Sequence, residues 1–282
     1  AGIAGLITPW NLPLYLLSWK VAPALVMGNC IIAKPSELTP LTANLLAEVI
    51  HEVGLPKGVF NLIHGYGNEC GQYLVEHPEI SLISFTGGTT TGKIVAKTAA
   101  PMFKKLSLEL GGKNATIILN DADLNSNMEQ IVKSAFLNQG QVCLCGSRIL
   151  VHESIHSQFL ERFLKSVSSL KIGNPLDENT QLGSLISIEH RNKVEDYIRL
   201  AKNEGGEIYF GGERPKLDSA FEKGAFLEPT IIIGLKHNSR TATEEIFGPV
   251  VTIHKFKDID EAIEIANCTN YGLAASIWTQ NT

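Results

Sequence analysis

Cys30-Ile-Ile-Ala33 reads as a short buried strand, and Phe60-Asn-Leu-Ile-His64 reads as a second one. Between them, Leu41-Thr-Ala-Asn-Leu-Leu-Ala-Glu-Val-Ile-His-Glu-Val53 has the length of a helix. Both predicted strands are short, apolar and bounded by turn residues, as buried strands are. Strand–helix–strand order is typical of a parallel sheet.

The flanking residues mark the bounds of this helix. Thr39 is a plausible N-cap, Pro40 suits the first helical position, and Gly54 stands just past the end. The criteria used for the two strands also predict buried strands at Ile3–Ile7, Leu82–Phe85 and Ala115–Leu119. The repetition predicts an α/β fold with a doubly wound, Rossmann-like parallel sheet in a first domain, residues 1–111.

A second α/β domain is predicted for residues 112–282. Its helices are expected at about 124–138, 154–170 and 187–205, and its strands at about 148–152, 250–256 and 273–278. Residues 205–229 are rich in Gly, Pro and charged side chains, so a loop is predicted there.

Composition excludes several classes of protein. The chain has 282 residues and a formal net charge of −5, which disfavours nucleic acid or an anionic membrane as a partner. No apolar run approaches the ~18 residues that a membrane-spanning helix needs. The five scattered cysteines favour reduced thiols in a cytoplasmic compartment. Because residue 1 is not Met and a strand is predicted close to each end, the chain is predicted to be a fragment.

Two short motifs suggest other chemistry, but the residues around them argue against it. Gly87–Lys93 matches most of a phosphate-binding P-loop, yet Ile94 stands where the Mg²⁺-binding hydroxyl should be, which favours contact with a cofactor diphosphate instead. His152-Glu-Ser-Ile-His156 matches a zinc peptidase motif, whose histidines must share one helix face. Ser154 is predicted to cap a helix that starts after it, so His152 would precede that helix and no metal site is expected.

A third motif, Gly65-Tyr-Gly67, begins like a dinucleotide-binding fingerprint. Cys70 replaces its third glycine, however, and a partial match of this kind is weak evidence.

Three residues have the surroundings that catalysis needs. Cys143 follows a helix predicted to run into Gly140 and stands in an exposed turn before the next strand, where a thiol is reachable and near backbone N–H groups. Glu109 is flanked by leucines, which predicts partial desolvation and a role as general base. Asn11 lies in Pro9–Pro13, a loop held by two prolines, where its amide can donate to a developing oxyanion. The structural alternatives are a buried thiol, a solvated glutamate and a turn-forming asparagine.

These segments, in this order, resemble the aldehyde dehydrogenase superfamily. The matching stretches are Pro9–Pro13, Ala33–Glu37, Phe85–Gly88, Leu108–Ala115, Phe136–Ser147 and Glu244–Val250. The resemblance covers the whole chain. It implies a partial NAD-binding domain in residues 1–111, a partial catalytic domain in residues 112–282, and a homodimer or homotetramer at full length.

The resemblance also implies a role for each candidate residue. Cys143 is the nucleophile, Asn11 and the Cys143 backbone N–H hold the oxyanion, and Glu109 activates the water that hydrolyses the thioester. The implied cofactor is NAD, and the residues expected to bind it are Thr8, Trp10, Lys34, Glu37, Gly87, Gly88, Glu245 and Phe247. A carboxylate at Glu37 repels the 2′-phosphate of NADP, which favours NAD. Gly88 departs from the family, which often has Ser there.

The substrate is expected to be an aldehyde, and the sequence looks most like the branch that oxidises 2-aminomuconic and 2-hydroxymuconic semialdehydes. Betaine-aldehyde and general aliphatic aldehyde dehydrogenases are the alternatives, as is a catalytically silent structural member of the family. Because Glu109 is present, water is expected to accept the acyl group in place of coenzyme A.

Overall fold

The computed structural model describes residues 1–281, which divide into two compact units, Ala1–Gly111 and a second that begins at Gly112. The strands of the first unit are β1 (Ile3–Ile7), β2 (Cys30–Lys34), β3 (Phe60–Leu62), β4 (Ile80–Thr86) and β5 (Lys105–Glu109). Its α-helices are α1 (Pro13–Val26), α2 (Leu41–Glu52), α3 (Gln72–Glu76) and α4 (Thr89–Ala99). A π-helical turn, Gly67–Gly71, and a 3₁₀ turn, Ala100–Met102, complete it.

The first unit is doubly wound. Its strands pair in parallel in the order β3-β2-β1-β4-β5, so the strand order reverses between β1 and β4. Ala4 and Leu6 on β1 belong to the core cluster that also contains residues of α1 and α2. A Cβ on the intervening Gly5 would instead lie 2.8 Å from Ile83 and 3.2 Å from Leu74, in the second cluster. Helices therefore cover both faces, and the predicted fold class is confirmed.

The start of α2 differs from the prediction. The helix begins at Leu41, its N-cap position is Pro40, and no side chain caps it. Thr39 Oγ1 is buried without a hydrogen-bond partner among residues 1–281, so the prediction of Thr39 as N-cap is wrong. Gly54 follows the helix with φ +78°, a left-handed conformation that glycine adopts without steric cost.

The second unit is also α/β. Its strands are β6 (Ala115–Ile118), β7 (Arg148–His152), β8 (Glu207–Phe210), β9 (Thr230–Ile233), β10 (Val250–Phe256) and β11 (Ala275–Trp278). Its helices are α5 (Leu124–Phe136), α6 (His156–Ser168), α7 (Ile188–Asn203), α8 (Arg240–Thr243) and α9 (Ile259–Asn267). The sheet order is β11-β6-β7-β10-β9-β8, and only the β8–β9 pair among these strands is antiparallel.

Two predictions for this unit are wrong. Residues 205–229 are not entirely loop, because Glu207–Phe210 forms β8 and pairs with β9. The sequence gives little sign of this strand, because β8 is short and half-exposed and its partner β9 begins only after the Gly- and Pro-rich stretch. Ser154 does not cap α6, since it lies inside a 3₁₀ turn, Glu153–Ile155, and α6 begins at His156.

Candidate active site

A cavity of about 440 Å³ lies in the first unit, where β1, β2 and β4 end. In a doubly wound sheet, the carboxyl edge at the reversal of strand order is the usual place for a ligand. The cavity is lined by all the cofactor residues predicted for this unit: Thr8, Trp10, Lys34, Glu37, Gly87 and Gly88. Residues predicted from three separate motifs therefore line one cavity.

Two opposite charges border this cavity. Lys34 is only 2% exposed, and its Nζ donates to the Pro35 carbonyl at 2.7 Å and to Glu37 Oε2 at 3.4 Å. The Glu37 side chain is 39% exposed, so its carboxylate keeps room to accept further hydrogen bonds. This pair can recognise neighbouring hydroxyl groups on a ligand.

The two glycines at the start of α4 have different roles. A Cβ on Gly87 would lie 2.5 Å from the Phe85 ring, so a side chain there would require that ring to move. The Gly87 N–H donates to the Glu109 carbonyl at 3.0 Å. Gly88 is the N-cap of α4, and a Cβ on it would meet nothing within 4 Å. The backbone at Gly88 is therefore open to a ligand at a helix N-terminus, the end that favours phosphate groups.

The cavity also includes residues that the sequence predictions missed. Gly67, Asn68 and Gly71, from the π-helical turn, line it together with Gln72. π-helical turns are frequent at functional sites. The only sequence signal was the partial fingerprint Gly65-Tyr-Gly67, which was too incomplete to interpret.

Asn11 lies after β1, and Glu109 is the last residue of β5. Asn11 is half-buried in the turn between β1 and α1, and Pro13 already belongs to the helix. Glu109 ends β5 and is exposed, so the predicted desolvation of this carboxylate is wrong. Burial lowers the pKa of Lys20 to about 8, and the charge of the Glu109 carboxylate partly opposes that shift. Lys20 Nζ donates to Ser84 Oγ at 2.8 Å.

In the second unit, a small cleft of about 20 Å³ brings together the three residues predicted there. Cys143, Glu245 and Phe247 all line it, with Gly112 and Gly140 among their neighbours. The cleft places a half-buried thiol beside a carboxylate and an aromatic ring.

The chain turns sharply before Cys143. Helix α5 ends at Phe136, earlier than predicted, and Asn138 and Gln139 have left-handed φ angles of +51° and +57°. Gly140 also has a positive φ, +71°, and a Cβ there would lie 2.1 Å from the Gly248 carbonyl oxygen. The turn therefore spans three residues, and only glycine fits the last one.

Glu245 and Phe247 are held from different sides. Glu245 Oε1 accepts the Gly112 N–H at 3.0 Å, and burial raises the pKa of its carboxyl group. Phe247 has φ +62°, unusual for a residue with a side chain, and its carbonyl accepts His190 Nε2 at 2.6 Å. A strained backbone at a candidate site is consistent with a functional constraint on that residue.

Cys145 differs from Cys143 in its surroundings. Its side chain is 7% exposed, and burial raises the pKa of its thiol to about 12. Such a thiol is almost entirely protonated at neutral pH and is a poor nucleophile.

The two histidines of the zinc-peptidase-like motif do not lie on one helix. His152 ends β7 and so precedes the helix, as predicted, whereas His156 is the first residue of α6. Among residues 1–281, no group of three or more His, Cys, Asp or Glu side chains is arranged to hold a metal ion. No helix in the described part of the chain has the length and apolar character to cross a membrane.

The comparisons with known proteins agree on one family. The family model described as "Aldehyde dehydrogenase family" matches residues 1–282. The chain is 48% identical over 281 residues to 2-aminomuconic 6-semialdehyde dehydrogenase of Pseudomonas sp, covering 99% of this chain and 57% of that protein. It is also 48% identical over 282 residues to 2-aminomuconic semialdehyde dehydrogenase of Homo sapiens, covering 99% of this chain and 58% of the human protein.

Among solved structures, betaine aldehyde dehydrogenase from Staphylococcus aureus in complex with NAD⁺ superposes with a TM-score of 0.96 at 46% identity. The match covers 99% of this chain and 55% of that one. The chain thus spans a little over half the length of the relatives it matches. The resemblance to this family is confirmed, and the chain belongs to the aldehyde dehydrogenase family.

Proposed function

We propose that the protein oxidises an aldehyde to the carboxylic acid with NAD, residues 1–111 acting as the NAD-binding domain and residues 112–282 as the catalytic domain. The observation that carries the proposal is the cleft of the second unit, in which Cys143, Glu245 and Phe247 come together in a chain of this family. Cys143 was selected from one motif and Glu245 and Phe247 from another, and the three share one small space.

The size and the lining of the cavity in the first unit support NAD as its ligand. Its cavity of about 440 Å³ has the size of a ligand pocket. Thr8 lines it, and the Thr8 hydroxyl is buried without a hydrogen-bond partner in residues 1–281, which a bound ligand could supply. Lys34 and Glu37 would hold ribose hydroxyls, and the open backbone at Gly88 would receive the diphosphate. Trp10 and Gly87 would border the cofactor, and Glu245 and Phe247 would hold its nicotinamide half.

Bound NAD supplies the hydride acceptor. The chain's own residues perform the remaining steps. The Cys143 thiolate attacks the aldehyde carbon, and the resulting thiohemiacetal oxyanion accepts hydrogen bonds from the Asn11 amide and the Cys143 N–H. Loss of hydride from that carbon leaves a thioester on Cys143.

Glu109 then takes a proton from water, the hydroxide oxygen adds to the thioester carbon, and the Cys143 thiolate leaves with release of the acid. The exposure of Glu109 is compatible with this role, because a base that activates water must be reached by water.

The proposed substrate is a semialdehyde of the 2-aminomuconic or 2-hydroxymuconic type, because those enzymes are 48% and 46% identical to the chain. Betaine aldehyde is the second candidate, since the Bacillus subtilis betaine aldehyde dehydrogenase is 46% identical over 280 residues. We also propose a homodimer or homotetramer, and a cytoplasmic location on the evidence of five free cysteines.

The test is NADH formation by the protein in the full length that its gene encodes, assayed with a panel of semialdehydes and betaine aldehyde. Cys143→Ser should abolish NADH formation, and the matched Cys145→Ser variant should retain it. Activity of Cys143→Ser equal to wild type would refute the assignment of the nucleophile. A correctly folded wild type that binds NAD but oxidises no aldehyde would instead support the silent structural alternative.

A further inference from the structure

The segment that follows the second glycine of Leu108–Ala115 contacts the loop that carries Cys143. Asn114 is 5% exposed, and its side-chain Nδ2 donates to two carbonyls of that loop, Cys143 O at 2.7 Å and Cys145 O at 3.0 Å. Asn114 Oδ1 accepts the Ala274 N–H at 3.1 Å. One buried amide therefore connects the segment before β6, the loop before β7 and the segment before β11.

The backbone of Asn114 is fixed as well. Its carbonyl accepts the Arg148 N–H at 3.2 Å, and Arg148 Nε donates to the Lys113 carbonyl at 2.8 Å. Arg148 is itself 2% exposed and donates to two carbonyls of α9. The backbone that carries the Asn114 amide is therefore fixed by hydrogen bonds to the buried Arg148.

The loop adds contacts of its own. Cys145 N–H donates to Val142 O at 3.0 Å, which closes a turn around Cys143. Gly146 N–H donates to Ser134 O at 3.1 Å and so connects the end of this turn to α5. The Asn114 side chain binds the middle of this turn, where the proposed nucleophile lies.

Gly112 provides the space for this arrangement. A Cβ on Gly112 would lie 2.8 Å from Asn114 Oδ1 and 3.0 Å from the Cys143 carbonyl oxygen. The loop therefore packs directly against the glycine backbone, and any side chain there would displace either the amide or the carbonyl.

We infer that Asn114 is a positioning residue for Cys143: its amide holds the two carbonyls that set the path of the turn, and so keeps the thiol in the cleft beside Glu245. This inference rests on the proposed role of Cys143. Asn114 touches neither substrate nor cofactor in this account, and it acts only through the loop.

Asn114→Asp separates the two functions of the side chain. The carboxylate retains an acceptor for Ala274 N–H but has no Nδ2 donor, and it brings an oxygen toward the Cys143 and Cys145 carbonyl oxygens. Asn29→Asp is a matched control, since Asn29 is 8% exposed and its Nδ2 donates to Ala24 O while its Oδ1 accepts Gly2 N–H, both in the first unit. Both variants lose a buried amide donor, but only Asn114→Asp affects the Cys143 loop.

The local readout is alkylation of buried Cys145 by iodoacetamide, followed by mass spectrometry. Loss of two hydrogen bonds should raise the population of the open loop, and with it Cys145 alkylation, by about tenfold or more in Asn114→Asp. Asn29→Asp should leave that rate within about twofold of wild type, because local opening elsewhere does not expose this loop. Gly112→Ala should also raise Cys145 alkylation, because the added methyl group would lie close to both Asn114 Oδ1 and the Cys143 carbonyl oxygen.

The catalytic readout compares the effect of each variant on kcat with its effect on the Kd for NAD. Asn114→Asp should lower kcat at least about tenfold with the NAD Kd within about twofold, because a misplaced nucleophile affects chemistry rather than cofactor binding. Unchanged protection of Cys145 in both Asn114→Asp and Gly112→Ala would overturn the inference, whatever the activity. Retained activity in Cys143→Ser would instead overturn the proposed function, and the two failures are therefore distinguishable.

Discussion

Replacing Lys113 by Met should remove a pH dependence from the stability of the protein. Lys113 is 2% exposed, and its Nζ has no hydrogen-bond partner in the described chain. Burial, with a smaller contribution from the Arg148 guanidinium, lowers the pKa of Lys113 to about 7, although Glu245 and Glu244 oppose the shift. A buried ammonium group without a hydrogen bond is costly, so the folded state favours the neutral amine.

The sign of the effect follows from the two states. The pKa of Lys113 is about 7 in the folded protein, whereas in the unfolded chain it has the ordinary value of 10.5. Between pH 7 and pH 10.5 the unfolded chain therefore binds a proton that the folded protein does not bind. Stability therefore rises with pH from about 7 to 10.5, by up to ~1.4 kcal/mol per pH unit, and the penalty is fully present below pH 7. Between pH 7 and pH 9 the gain worked from these pKa values is about 2 kcal/mol.

The assay is urea unfolding of wild type, Lys113→Met and a matched variant, Lys257→Met, whose lysine is exposed in the same unit. Lys113→Met should reduce the gain in unfolding free energy between pH 7 and pH 9 by about 2 kcal/mol relative to wild type. Lys257→Met should show the wild-type dependence on pH. Parallel pH profiles for wild type and Lys113→Met would refute the reasoning, because they would mean that Lys113 is charged in the folded state.

Three further predictions concern the site. Iodoacetamide should alkylate Cys143 in preference to Cys145, because a pKa of about 12 against the ordinary 9.0 leaves the Cys145 thiolate about a thousandfold scarcer than that of an ordinary thiol. Both cysteines lie in the tryptic peptide from residue 134 to 148, so fragment spectra must locate the label, and rapid labelling of this peptide in Cys143→Ser would contradict the prediction. Glu37→Gln should raise the affinity for NADP relative to NAD by about tenfold in titrations of cofactor binding, since a carboxylate no longer faces the 2′-phosphate; an unchanged ratio would remove Glu37 from cofactor selection. Glu109→Gln should lower steady-state turnover by about a hundredfold or more and preserve one rapid burst of NADH per active site, whereas normal turnover would show that another group activates water.

Local patterns were sufficient for the fold class and for the choice of Cys143, Glu109 and Asn11 as candidates, whereas the resemblance to the family supplied the cofactor-binding candidates. Short apolar runs such as Ile3–Ile7 and Cys30–Ala33 became strands of one parallel sheet, because a buried strand must be apolar on both faces. Cys143 was found because the residues before it, ending at Gly140, indicate a sharp turn. Both signals lie in consecutive residues, where covalent geometry and side-chain type act directly.

The start of α2 and the edge strand β8 could not be predicted in the same way. Thr39 has the side chain of a good N-cap, yet the turn that it closes with Ser36 places the helix start at Leu41. Glu207–Phe210 becomes a strand only through pairing with Thr230–Ile233, some twenty residues later. Short, half-exposed elements depend on such partners more than on their own propensity.

From the sequence alone came the family, the two α/β units and the identity of the residues that carry the proposed chemistry. The environment of those residues was decided only in three dimensions: Glu109 is exposed despite its flanking leucines, Lys113 is buried despite its charge, and the Asn114 amide holds the Cys143 loop. The reason is physical. A sequence motif specifies which residues are neighbours along the chain. Desolvation and hydrogen bonding depend also on atoms that the fold brings close from distant parts of the chain.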